Sequence, residues 1–202
     1  NVSELLSIAN GKSSGTITLS DNTVALSGDA TELTTIFGET FAATHNGAVT
    51  VTDGAYDISE LKSVNAGTDG TITLSDRTVA LSGDATDLAL ALAGNINHNG
   101  AVTVTDGAYD VDELVAIATG TSGEITLNDA TVALSGDASD LKTIFDENIT
   151  NHTGAVTVTD GAYNVSELLS IANGKSSGTI TLSDNTVALS GDATELTTIF
   201  GE

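Results

Sequence analysis

An α/β repeat solenoid is the fold this sequence predicts, in units of about 54 residues that each hold roughly three short strands and two short capped helices. Three observations predict it. The decamer GAVTVTDGAY stands at Gly47–Tyr56, Gly100–Tyr109 and Gly154–Tyr163, and LSGDA recurs at Leu26–Ala30, Leu81–Ala85, Leu134–Ala138 and Leu189–Ala193. Within each unit an alternation of apolar and polar residues gives way to a helical stripe behind an acidic cap. The chain of 202 residues has no Pro, Cys, Met or Trp and holds three Tyr and four Phe. Any core is therefore thin and made of Ala, Val, Leu and Ile, as suits layers that pack only on their neighbours.

Successive decamers begin 53 and 54 residues apart, which divides the chain into a partial repeat at 1–46, repeats at 47–99 and 100–153, and a partial repeat at 154–202. A longer period is superposed on this one. Asn1–Glu39 and Asn164–Glu202 are identical at an offset of 163, so three units make one long period. The loops FGETFAATHNG, LAGNINHNG and FDENITNHTG differ in length and content, which argues against a stitched consensus. Asn1 opens at a helix with no initiator Met and no signal-peptide pattern, and Gly201-Glu202 stop directly after another. Neither end carries the polar capping repeat that solenoids need for solubility. The expectation is a window of a longer array with no free end: either the chain continues, or another subunit stacks end to end into a filament.

Each unit opens with a strand. In AVTVTD the valines Val102 and Val104 alternate with Thr103 and Thr105, a period of two that points Val inward and Thr outward. A helix start follows at Asp110…Glu113, where the first side chain accepts from a free helix N–H and the Glu reaches back. The same signature recurs at Asn1…Glu4, Asp57…Glu60 and Asn164…Glu167. The second half reads as two short strands, around Ile125–Leu127 and Val132–Leu134, flanking a polar corner. Further caps stand at Asp29…Glu32, Asp84…Asp87, Asp137…Asp140 and Asp192…Glu195. Those with Asp in the fourth place are weaker, because Asp reaches less far. Helices of about eight to ten residues are marginal alone and must bury a stripe: Val165, Leu168, Ile171 and Ala172 in one half, Leu33, Ile36 and Phe37 in the other. Asp87–Gly94 alternates like a strand, yet alignment with ELTTIFG places Leu88 and Leu92 inward on a helix.

The leucine-rich consensus LxxLxLxxN is missing. The phrases GAVTVTDGAYDVDEL and GEITLNDATVAL instead resemble the tandem repeats of giant acidic, Thr-rich secreted or surface-attached bacterial proteins. In those adhesin- and fibre-like arrays, VTVTD phrases followed by a short helix alternate with ITLTD phrases. The resemblance spans the whole chain and carries over no site residue. It implies an extracellular or cell-surface location and a mechanical or adhesive role, with surface glycans among the partners such a protein meets.

With 28 acidic against 5 basic residues the net charge is −23. That balance argues against nucleic acid, whose phosphates need Lys and Arg, and against anionic lipid. No apolar run is long enough to insert in a membrane. Without Cys the fold uses no disulfide, and the redox compartment stays open.

No catalytic or cofactor-binding residue is expected, and the reading is not an enzyme: GxSxG, HExxH, P-loop and GxGxxG patterns are all missing. His45, His98 and His152 each sit in the variable loop before GAVTV, too far apart to share a metal, and read as loop-filling residues. Calcium is the one cofactor that the acids raise, with Asp53, Asp106, Asp110, Asp112 and Asp160 as candidate ligands. The EF-hand order and the GGxGxD nonapeptide are both missing, and Asp110 and Glu113 are already engaged as a cap. The competing role for these acids is capping helices and turning corners. Outward Thr pairs (Thr50 and Thr52, Thr103 and Thr105, Thr157 and Thr159) and the TIT triplets at Thr16–Thr18, Thr71–Thr73 and Thr179–Thr181 resemble ice-binding ladders. Thr is also simply a good exposed strand residue. Asn148-Ile-Thr and Asn151-His-Thr are sequons, meaningful where the source glycosylates them. The function expected first is a structural segment forming a fibre, stalk or surface-layer spacer. A calcium-responsive adhesin module comes second and an ice-binding Thr ladder third.

Overall fold

The structure is a computed structural model that describes residues 1–94, 96–146 and 148–201. Among them short helices alternate with three small parallel sheets. Helix α1 (Val2–Gly11) comes first, and one cycle then runs β1 (Leu26–Gly28), α2 (Ala30–Phe37), β2 (Val49–Val51), α3 (Ile58–Gly67), β3 (Ile72–Leu74). The second cycle is β4 (Leu81–Gly83), α4 (Ala85–Leu92), β5 (Val102–Val104), α5 (Val111–Gly120), β6 (Ile125–Leu127). The third is β7 (Leu134–Gly136), α6 (Ala138–Asp146), β8 (Val156–Val158), α7 (Val165–Gly174), β9 (Ile180–Leu182), and α8 (Ala193–Phe200) closes the order. Three strands and two helices per cycle match the expected content.

Each cycle makes one sheet, in the orders β1-β2-β3, β4-β5-β6 and β7-β8-β9. Every pairing is parallel and in phase: Leu26, Val49 and Ile72 align in the first sheet, Leu81, Val102 and Ile125 in the second. Parallel neighbours need a crossover, and here it is a helix: α2 joins β1 to β2, and α3 joins β2 to β3. Isolated parallel bridges extend the pattern, with Ile72 reaching Ile96 and Ile125 reaching Ile149. Each helix packs on the next one in sequence, from α1 against α2 through to α7 against α8.

The expected burial is present. Val102 and Val104 are fully buried while Thr103 is half-buried and Thr105 exposed. Leu88 and Leu92 are fully buried on α4, so the helical alignment prevails over the strand-like alternation. Val165, Leu168, Ile171, Ala172, Leu33 and Ile36 are buried, and Phe37 is half-buried. One apolar cluster runs from Val2 to Ile199 without a break. Full burial of a Leu or Ile contributes about 1.5–3 kcal/mol, and a repeated thin layer of such residues holds helices too short to persist alone.

Full capping boxes open α1, α2, α3, α5, α7 and α8. At α4, Asp84 accepts from Asp87 N at 2.8 Å, the arm that the shorter Asp side chain leaves intact. One strand departs from expectation. The segment placed around Val132–Leu134 is instead β7, Leu134–Gly136. The corner is longer because its backbone is used elsewhere: Thr131 N and Oγ1 both donate to Asp129 Oδ1, Ala130 O accepts from Thr153 N, and Val132 O accepts from His152.

Candidate functional site

The calcium candidates divide by position. Asp53, Asp106 and Asp160 follow the strands β2, β5 and β8, and each reaches back to a helix of the preceding segment. Ala30 N, Ala85 N and Ala138 N, the first residues of α2, α4 and α6, donate to their Oδ1 atoms at 3.1 Å. At α2 and α4 the helix N-terminus thus meets a capping acid of its own, Asp29 or Asp84, and a second acid from about twenty residues on, both favoured by the positive end of the helix. At α6 the expected Asp137…Asp140 cap is not formed, and Asp137 Oδ1 accepts instead from Thr159 Oγ1 at 3.2 Å. Asp110 caps α5, accepting from Glu113 N at 3.0 Å, and Asp112 is exposed on the first turn of α5. The five acids are not brought together. Among the described residues no group of three or more His, Asp or Glu is arranged to hold a metal ion.

The histidines are not loop fillers, contrary to expectation. His45 is 2 % exposed, and His98 and His152 are 0 % exposed. In each, Nε2 lies 2.7 to 2.9 Å from the carbonyl of Val24, Val79 or Val132. A carbonyl only accepts, so Nε2 carries the proton and Nδ1 is left to accept. Thr68 Oγ1 meets Nδ1 of His45 at 3.2 Å and Thr121 Oγ1 meets that of His98 at 3.0 Å. Those hydroxyls also accept from Gly70 N and Gly123 N at 3.0 Å. In the third unit Lys175 takes the Thr position at the end of α7, and His152 packs its ring edge-on to Phe145 at 5.5 Å. Burial pushes the imidazoles of His98 and His152 below their ordinary pKa, and the charges of Arg77 and Lys175 act in the same direction against the hydrogen bond from each ring to its carbonyl. The rings are buried polar struts between segments. The signal for this lay in the sequence: each stands two residues before the Gly of GAVTV, a fixed place that a loop filler would not need.

Sequence reasoning also missed the tyrosines. Tyr56, Tyr109 and Tyr163 are buried to within 4 % exposure, and their hydroxyls donate to the carbonyls of Asp76, Asp129 and Asp184. Burial first, then the nearby carboxylates, pushes Tyr56 and Tyr109 up to about 12. The same three aspartates, with Asp21 as a fourth, turn the corners. Asp21, Asp76, Asp129 and Asp184 each accept from the amide and hydroxyl of the Thr two residues on, which holds their carboxyls below the usual range.

The hydroxyl face forms one file per sheet. Ser27, Thr50 and Thr73 stand in register, as do Ser82, Thr103 and Thr126, and Ser135, Thr157 and Thr181. Strands of three residues give a single hydroxyl per strand, with Thr52, Thr105 and Thr159 exposed just beyond. Of the two sequon asparagines, Asn151 donates to Leu127 O at 2.8 Å and Asn148 to Ser122 O at 2.6 Å. Among the described residues no helix is long and apolar enough to cross a membrane. One open surface depression is lined by Tyr56, Ile58, Ser82 and Asp87. Comparison with protein-family models, with curated proteins and with solved structures finds no match to this chain.

Proposed function

We propose that this chain is a segment of an α/β solenoid that works as a structural spacer, a fibre, stalk or surface-layer element outside the cell. The observation that carries the reading is uniformity. The same helix-on-helix contact and the same parallel register recur from one end to the other, and the units differ mainly in loops. A spacer needs length and stiffness from identical layers, whereas a site of chemistry needs one unit unlike the rest. The acidic surface fits a protein kept apart from nucleic acid and anionic lipid. Small-angle scattering from dilute protein tests the reading. A rod whose length grows in proportion when further units are added supports it, and a compact particle of unchanged maximum dimension overturns it.

A second reading, a calcium-responsive adhesin module, draws on the pairs of carboxylates at the starts of α2, α4 and α6. Divalent cations would relieve their repulsion and stiffen the array. Melting in millimolar Ca²⁺ and in EGTA at matched ionic strength decides it, since equal midpoints remove the idea. The hydroxyl files support an ice-binding reading only if the protein shows thermal hysteresis.

A further inference from the structure

The helix seams inside the chain follow one plan, and polar contacts made at two of them are missing around α6. Between α3 and α4, Lys62 Nζ pairs with Asp87 Oδ1, and Asn65 Nδ2 donates to Leu90 O at 2.8 Å and to Ala93 O at 2.9 Å. Two carbonyls at the end of α4 thereby gain a donor. Between α5 and α6 the counterparts of Lys62 and Asn65 are Val115 and Ala118, whose side chains carry no polar group. A hydroxyl spans the seams on the other side: Thr31 Oγ1 donates to Glu60 Oε1 at 2.9 Å, and Thr86 Oγ1 to Glu113 Oε1 at 2.6 Å. From α6 to α7 the counterparts are Ser139 and Glu167. Glu167 accepts from Asn164 N at 2.9 Å, and among the described residues nothing pairs it with Ser139.

Both ends of α6 carry a further deficit. Asp29 and Asp84 accept from Glu32 N and Asp87 N at 2.8 Å, whereas Asp137 is turned to the Thr159 hydroxyl and leaves Asp140 N without its cap. At the other end the ring of Phe145 rests on His152. His152 Nδ1 is buried without a partner, where His45 and His98 have the hydroxyls of Thr68 and Thr121. A buried acceptor left unmet bears its desolvation cost in the closed state, and parting Phe145 from the ring lets water relieve it. The apolar face of α6 is as well buried as that of α4, with Leu141 and Ile144 fully covered. The difference between the two helices is therefore in polar contacts and caps.

We propose that α6 is the element at which this chain opens first, leaving α5 and α7 as a unit while α4 and its neighbours stay folded. Local opening of this kind draws on the least secured cooperative unit of a fold. Nine residues passing from helix to extended chain lengthen the segment by about 17 Å. The use of such a yielding point, lengthening under load without general unfolding, rests on the spacer reading. The opening itself does not.

Native-state amide exchange on the whole chain at neutral pH, in water and in low urea, tests it. Amides of α6 exchange about 5- to 30-fold faster than those of α4. Their rates also depend less on urea, because partial opening exposes less surface than global unfolding. Thr159→Val, at an exposed position, releases Asp137 to cap α6 and slows its exchange about fivefold with α4 unchanged. Lys62→Val combined with Asn65→Ala gives α3 the side chains of α5 and speeds exchange in α4 toward that of α6. Circular dichroism verifies the fold of each variant. Equal rates and equal urea slopes in α4 and α6 would overturn the proposal. So would Thr159→Val leaving α6 unchanged, or the double variant leaving α4 unchanged. A compact particle in scattering would remove the spacer use and let the exchange results stand, so the two failures are seen apart.

Discussion

Gly120 and Gly11 occupy the same place in the repeat, the last residue of a helix, with opposite surroundings, and Ala at each makes a matched experiment. Neither has positive φ, since among the described residues only Gly15, Gly94 and Gly178 do. Backbone conformation therefore favours Ala equally at both. At Gly11 the new methyl meets open space, and the loss of unfolded-state freedom stabilises by about 0.4–1 kcal/mol. At Gly120 the methyl would lie 2.6 Å from Leu92 Cβ and closer still to Leu92 O, a clash with backbone that cannot swing aside. Relieving it means parting α4 from α5 across a seam where Leu92, Leu114 and Ile117 are fully buried. Overpacking of this kind costs about 1–3 kcal/mol, against a helix-propensity gain of at most about 1 kcal/mol. The expected net loss is about 0.5–2 kcal/mol for Gly120→Ala, with a gain for Gly11→Ala. In a chain of this size that moves the melting midpoint down by about 1–8 °C in the first and up by about 1–4 °C in the second. Urea denaturation followed at 222 nm on dilute protein, with amide exchange on α1 and α5, reads both. Gly120→Ala as stable as Gly11→Ala would show that the helices do not seat as close as the junction requires.

Stability falls on acidification in two stages. His98 and His152 have depressed pKa values, so the unfolded chain binds protons first. Their contribution is whole above about pH 6.5 and is lost below it; His98→Gln flattens the pH dependence of the urea midpoint in that window. The corner aspartates, also depressed, add a second loss below about pH 4. Tyr56 and Tyr109 are raised to about 12, so what they contribute is present below about pH 10 and lost above it. Absorbance at 295 nm should show their ionisation only together with unfolding, and Tyr109→Phe should lower the neutral-pH midpoint by leaving Asp129 O without its donor. Asp106→Asn and Asp112→Asn remove the same charge from different places. The first weakens the start of α4 by about 0.5–1 kcal/mol, whereas the second is neutral or slightly stabilising at low salt, and equal effects in thermal melts would refute the capping role.

Much of this fold was legible because its signals are local. The caps, the inward valines and the two helix stripes each follow from neighbours three or four residues away, and the repeats supplied independent copies of every one. Leu88 and Leu92 show the value of copies, since alignment with ELTTIFG overruled a misleading alternation. What escaped was non-local. Nothing near Asp53 in sequence says that its carboxylate meets Ala30 N, because the partner is set by the parallel register of β1 and β2. The burial of His98 depends likewise on Thr121 and Val79, both about twenty residues away. The corner of the third unit ran longer than its alternation implied for the same reason, with His152 and Thr153 drawing on the carbonyls of Val132 and Ala130.

The acidity itself takes on a different meaning once these contacts are placed. Asp29, Asp84 and Asp110 cap their own helices, Asp53, Asp106 and Asp160 reach back to helices already passed, and Asp21, Asp76, Asp129 and Asp184 turn the corners. Every one of these tasks needs an acceptor aimed at backbone N–H, and none needs a cation. A chain of 202 residues with eight short helices among its described residues has many exposed N-termini and few C-terminal charges to balance them. Asp and Glu accumulate because the repeat multiplies helix starts, whereas α3, α5 and α7 have no room for Lys or Arg at their last position, where Gly67, Gly120 and Gly174 pack against Phe37, Leu92 and Phe145 of the preceding helix. A net charge of −23 is then what this architecture generates.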